Sequence, residues 1–168
     1  MQSFKIIKPI HILTPYVRYY WILEDGADVS VSERTLPTGC IQLVFHRGKR
    51  LLLVGKKESQ PQAFICGQCL NFSDVMSAGK IEMITVVFQP YAARAILQLP
   101  LKFFYGELIA VDAIEDLELS ILSRKVIEAD DHETCIRLIE QFLIHRLYRF
   151  EGYEYNLKRI SAVLHQIN

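Results

Sequence analysis

The stretch Leu36-Pro37-Thr38-Gly39-Cys40-Ile41-Gln42-Leu43-Val44-Phe45-His46 decides the fold class. Its first four residues form a turn, because proline presets one backbone dihedral and glycine reaches conformations that side chains disfavour. Beyond them Ile41, Leu43 and Phe45 alternate with Gln42 and His46, the period of two that belongs to a strand. The same alternation upstream places Val17, Tyr19, Trp21 and Leu23 on one face, with Arg18 and Glu24 marking the other. Apolar runs at 51–54 and 63–66 read as short strands, and 71–77 and 81–88 flank Ala78-Gly79-Lys80 as a predicted hairpin. Turns recurring every ten residues or so point to an antiparallel barrel or sandwich rather than to strands alternating with crossover helices.

After Phe88 the period changes. Pro90 suits the first turn of a helix running through Ala92, Ala93, Ala95, Ile96 and Leu97, and Pro100 disfavours helical geometry at Leu99. Asp112 with Glu115 resembles a capping box, predicting a helix with Ile114, Leu117 and Ile121 on one side. Asp130 with Glu133 predicts another, whose Cys135, Ile139, Phe142, Leu143 and Phe150 form a core-facing stripe. On its opposite face Ile144 and Tyr148 fall among Arg137 and Gln141, and these four residues are the candidate dimer interface. A last amphipathic segment carries Leu157, Ile160, Leu164 and Ile167. The fold class is therefore α+β, an antiparallel β-barrel or sandwich followed by C-terminal helices.

A chain of 168 residues, 51% apolar and 23% charged, suits one folded domain with a short appendage. No run of ~20 apolar residues spans a membrane, and Lys8 and Pro9 interrupt any secretory signal, so no membrane partner is expected and the cytoplasm is the expected address. Nineteen basic residues balance nineteen acidic ones, which predicts weak DNA binding by this piece. The clustered Arg47, Lys49, Arg50, Lys56 and Lys57 flank Gly48 and Gly55 as solvated hairpin ends. Without an export signal the four cysteines are expected as thiols. Cys66-Gly67-Gln68-Cys69 has no second pair to complete a zinc site; Ala63-Phe64-Ile65 before it favours a strand end entering a turn, with a redox motif as the alternative.

Catalytic patterns are missing. There is no G-x-S-x-G elbow and no G-x-G-x-x-G, and the Gly-Lys pairs at Gly48, Gly55 and Gly79 lack the Ser or Thr of a phosphate-binding loop. Asp112, Glu115, Asp116 and Glu118 crowd a helix start, where the macrodipole favours carboxylates. None of His11, His46, His132, His145 and His165 is paired at metal-binding spacing, and His46, alone on a predicted strand, reads as a hydrogen-bonded structural residue. No catalytic residue, metal or cofactor is expected, and the chain is not expected to be an enzyme. Trp21, Phe45 and Phe88 are candidate walls of an apolar ligand cavity; the competing expectation is that they fill the core.

Four local patterns occur in a telling order: a segment from Pro9 ending in Tyr20-Trp21; Leu36-Pro37-Thr38-Gly39 with the strand to Phe45; Phe64-Ile65-Cys66-Gly67; and Val87-Phe88-Gln89-Pro90 followed by Ala92-Ala93 and closing at Leu99-Pro100. Together they resemble the N-terminal regulatory domain of bacterial AraC-type transcription regulators, with Tyr91 standing where that family commonly has glycine. The resemblance implies a cupin-like barrel that senses a small-molecule effector and pairs as a homodimer, with DNA bound only through a C-terminal helix-turn-helix domain absent from this sequence. It also implies a division into 1–110, the sensor barrel; 111–152, a helical dimerisation and packing region; and 153–168, the start of a linker. A small cupin-like barrel enzyme and a stand-alone ligand-binding or interaction module are the alternatives.

Overall fold

In the computed structural model, which describes residues 2–26, 32–35, 39–68, 71–77, 79–100, 103, 105–106 and 108–149, the regular elements up to Phe88 are strands, apart from a short 3-10 turn at His11–Leu13. The strands are Gln2–Ile7 (β1), Val17–Asp25 (β2), Ser32–Thr35 (β3), Gln42–His46 (β4), Leu52–Leu53 (β5), Glu58–Ser59 (β6), Ala63–Cys66 (β7), Ser73–Met76 (β8), Ile81–Phe88 (β9) and Leu108–Ala110 (β10). Helices Ala93–Leu97 (α1), Leu117–Glu128 (α2) and His132–Tyr148 (α3) lie late in the chain. The turn expected at Leu36, Pro37 and Thr38, the residues Cys69, Ala78 and Phe150, and the segments 153–168 and 157–167 lie outside the described residues.

The fold is α+β, with antiparallel sheets followed by C-terminal helices. Among the described residues the strands form two sheets and no closed barrel: a six-stranded sheet ordered β1-β2-β9-β4-β7-β10 and a four-stranded one ordered β3-β8-β5-β6. The hairpin predicted across Gly79 does not form, because β8 pairs with β3 and β5 while β9 pairs with β2 and β4. Composition explains the parting. β9 is apolar on both faces and needs the middle of a sheet, whereas β8, whose Val75 is its one fully buried residue, needs cover on one side only.

The central strands of the larger sheet are buried on both faces. One face carries Tyr20, Ile22, Leu43, Phe45, Ile65, Ile84, Val86 and Phe88 into a core shared with Ile96 of α1, Leu122 of α2 and Cys135, Ile139 and Leu143 of α3. The other carries Val44, Phe64 and Met83 toward Leu51 and Val75. A bulge at Arg18 decides which residues of β2 face which way: Val17 pairs with Phe88 but Tyr19 pairs with Val87. Val17 therefore joins Tyr20 and Ile22 on the helix side, and the single face expected for Val17, Tyr19, Trp21 and Leu23 is split. Gly48 lets the chain cross close to β9, since a Cβ there would meet Glu82 N and Lys80 O at 2.7 Å.

Both long helices start one or a few residues later than their acidic residues suggest. Asp112 belongs to a short 3-10 turn, Val111–Ala113, and the cap of α2 is Asp116, whose Oδ1 accepts from Leu119 N at 3.0 Å. With that phase Leu117 is 74% exposed instead of packed. In α3 the cap is Asp131, accepting from Thr134 N at 2.7 Å. Arg146, near the end of α3, is buried, with its guanidinium 2.5 and 2.7 Å from the Asp116 carboxylate oxygens and 3.0 Å from Glu118. This clasp fastens the end of α3 to the start of α2.

Candidate functional site

The face of the six-stranded sheet turned away from the helices does not pack solidly on the smaller sheet. Between them lies a cavity of about 690 Å³, a size suited to a small organic molecule. Strand alternation supplies its floor: Trp21 and Leu23 from β2, Val44 from β4, Phe64 from β7, Met83 from β9 and Leu108 from β10. Leu53, Ser73 and Val75 of the smaller sheet form the opposite wall. Gln42 and Cys66, which are Cα partners across β4 and β7, line the cavity together with Cys40. The Arg18 guanidinium lies 3.8 Å from the Cys40 sulfur.

Among the described residues, charge lies at the margins. Asp74 lines the cavity, but its carboxylate is bound by Arg34 at 2.8 and 3.2 Å, which holds it below the usual carboxylate range, and the same Arg34 stacks 3.9 Å over the Phe72 ring. Lys56 and Glu58 are exposed on the β5–β6 connection and its edge. On the outer side of Trp21, Phe4 of β1 packs ring against ring at 5.9 Å and is itself 60% exposed.

His46 continues the cavity-facing row of β4 beyond Val44 but is fully buried. Its Nε2 is 2.9 Å from Gln60 Oε1, its backbone oxygen accepts from the Gln62 amide, and its Nδ1 has no partner. Burial, offset in part by the Gln60 bond and reinforced by the charge of Arg50, lowers its pKa to about 4, so the ring is neutral near pH 7. Thr85, opposite Trp21 and Val44 in the strand register, is also buried with an unpartnered hydroxyl. No group of three or more His, Cys, Asp or Glu placed to hold a metal ion occurs among the described residues. None of their helices is long and apolar enough to cross a membrane.

Of the three rings expected at a ligand cavity, Trp21 lines it, while Phe45 and Phe88 point to the opposite face and are fully buried among the helices. Parity separates them: Phe45 shares its side with Ile41 and Leu43, and Phe88 with Ile84 and Val86. The lining residues Gln42, Val44, Phe64 and Met83 were not named as candidates. Their signal was present, since an alternating strand that buries one parity against helices leaves the other parity for a second layer.

On α3, Arg137 and Gln141 are exposed and Tyr148 is 70% exposed, whereas Ile144 is half-buried against the helix-side core. The Arg137 guanidinium donates to Thr134 Oγ1 at 3.3 Å. A second link joins sheet and helix where Tyr20 Oη lies 3.4 Å from Glu140 Oε1, which also accepts from Ile10 N at 3.0 Å. Burial first, and then the Glu140 carboxylate, raises the pKa of the Tyr20 hydroxyl.

No curated protein matches the chain. A family model does match, over residues 5–110, a span that holds every residue lining the cavity and stops before α2. On that match the chain belongs to the family described as Domain of unknown function (DUF6597).

Proposed function

We propose that the chain is the ligand-sensing and dimerisation part of an AraC-type transcription regulator, in which a small effector occupies the space between the two sheets of a cupin-like sandwich and DNA is bound by a separate C-terminal helix-turn-helix domain. The observation that carries this reading is the cavity of about 690 Å³, walled mainly by apolar side chains with neutral polar groups among them. Such a space suits recognition of a small molecule. The resemblance described above supplies the regulator context.

A sensor must also pass its signal on. Adjacent residues of β2 point to opposite layers: Trp21 to the cavity, Tyr20 to Glu140 of α3. A ligand pressing on Trp21 therefore displaces the strand that holds α3. The α3 face with Arg137, Gln141, Ile144 and Tyr148 is the proposed dimer contact, and two-fold pairing there would suit paired half-sites on DNA.

The test is the whole gene product. If the reading frame continues past Asn168 into two helix-turn-helix units, that product should retard its own promoter DNA in a mobility-shift assay at physiological salt, while residues 1–168 alone should not. Nanomolar, sequence-specific binding by residues 1–168, or a product without such units, would overturn the assignment.

A further inference from the structure

We infer that the cavity selects an uncharged, largely apolar molecule carrying one neutral polar end, an alcohol, ketone or phenol, and excludes anions and cations; this rests on the reading of the cavity as the effector site. The lining decides it. Among the described residues, Lys56, Glu58 and Asp74 are the charged ones that border the space; the first two are exposed and the third is bound to Arg34. Apart from these three, no ionised side chain among the described residues lines the space, and the exposed Arg18 reaches only the Cys40 sulfur. A charged group entering the space would give up its hydration without finding a counter-charge.

What the cavity does offer is soft and apolar surface. Trp21, Phe64 and Met83 form a broad polarizable floor suited to a ring or a hydrocarbon chain. Of the neutral polar residues in the lining, Thr35, Ser59, Asn71 and Ser73 are exposed and Gln60 is bound to His46, so the sheltered ones are Gln42, Cys40 and Cys66, on neighbouring positions of β4, its approach and β7. The ligand is therefore expected to lie with its apolar body over Trp21 and Met83 and its polar end toward Gln42.

Trp21 is the single tryptophan of the chain and stands in the cavity wall, so its emission reports occupancy directly. Two probes with one skeleton isolate charge: N-phenylnaphthylamine, which is neutral, and anilinonaphthalene sulfonate, which is the same frame with an anion. Titrating each should show the neutral probe quenching Trp21 saturably, at one per chain, with a Kd about tenfold or more below that of the sulfonate. Leu53→Phe and Leu108→Phe, which fill the cavity from opposite walls, should each weaken the neutral probe while circular dichroism stays unchanged. If the sulfonate binds as tightly and is equally sensitive to the fillings, the effector-site reading stands and the neutral class is overturned. If neither probe saturates Trp21, or a folded filled variant binds as before, both fail.

Discussion

His46 shows how a single buried side chain ties stability to pH. Its pKa in the fold is lowered from the ordinary 6.5 to about 4, chiefly by burial. Above both values the ring is neutral whether folded or not, and this group adds no pH dependence. Below pH 6.5 the unfolded chain takes up a proton that the folded ring refuses, so stability falls, at up to about 1.4 kcal/mol per pH unit, until the fold also protonates near pH 4. His46→Gln keeps an amide able to meet Gln60 and removes the titration. Urea melts between neutral pH and about pH 5 should show a shallower acid decline for the variant; parallel declines would assign the acid sensitivity to other groups. The lone place of His46 on a strand points to a hydrogen-bonded structural role, but not to Gln60, because that partner depends on which loop passes over the strand. The rings divide the same way: Trp21, Phe45 and Phe88 were all visible as large apolar residues, but which layer each would enter depended on strand parity and, for β2, on the bulge at Arg18.

At the level of elements, the clasp between α2 and α3 makes a strong prediction. Arg146 and Asp116 are both largely buried and bonded at 2.5 and 2.7 Å, while Asp116 also caps α2. Arg146→Met leaves the Asp116 carboxylate buried without its partner, and should cost about 3 kcal/mol in chemical denaturation, the low end of what a broken buried pair costs. A loss under about 1 kcal/mol would mean that the clasp is as weak as an ordinary surface pair. On the outer side of α3, the position of Ile144 against the core separates two effects. Ile144→Glu should destabilise the fold, whereas Tyr148→Glu, at a residue 70% exposed, should leave the melting temperature unchanged within a degree or two and convert the proposed dimer to monomer in sedimentation velocity. A dimeric Tyr148→Glu protein, or a monomeric parent, removes this face. Helix existence and the core stripe at Cys135, Ile139 and Leu143 were legible from spacing alone. Helix starts were not, since Asp112, Glu115 and Asp116 offer competing caps and tertiary packing chose the last.

For the molecule as a whole, the succession of strands followed by helices was readable from the change of period after Phe88, and so was the α+β class. Which strand joins which of the two sheets was not, because an apolar run flanking a glycine looks the same whether the chain folds back as a hairpin or crosses to another layer. β8 and β9 part company at Gly79 because their burial needs differ, and that parting opens the space beneath the smaller sheet. The proposed sensing role requires that space to take up a ligand. Methyl NMR of the chain titrated with N-phenylnaphthylamine tests this most directly. Methyls of Leu23, Val44, Leu53, Val75 and Leu108, which line the cavity, should shift and saturate together, while those of Leu122, Ile139 and Leu143 in the helix-side core should move little. Shifts confined to the helix side, to the exposed Phe4 and Ile6 face, or to no defined set of methyls would contradict it.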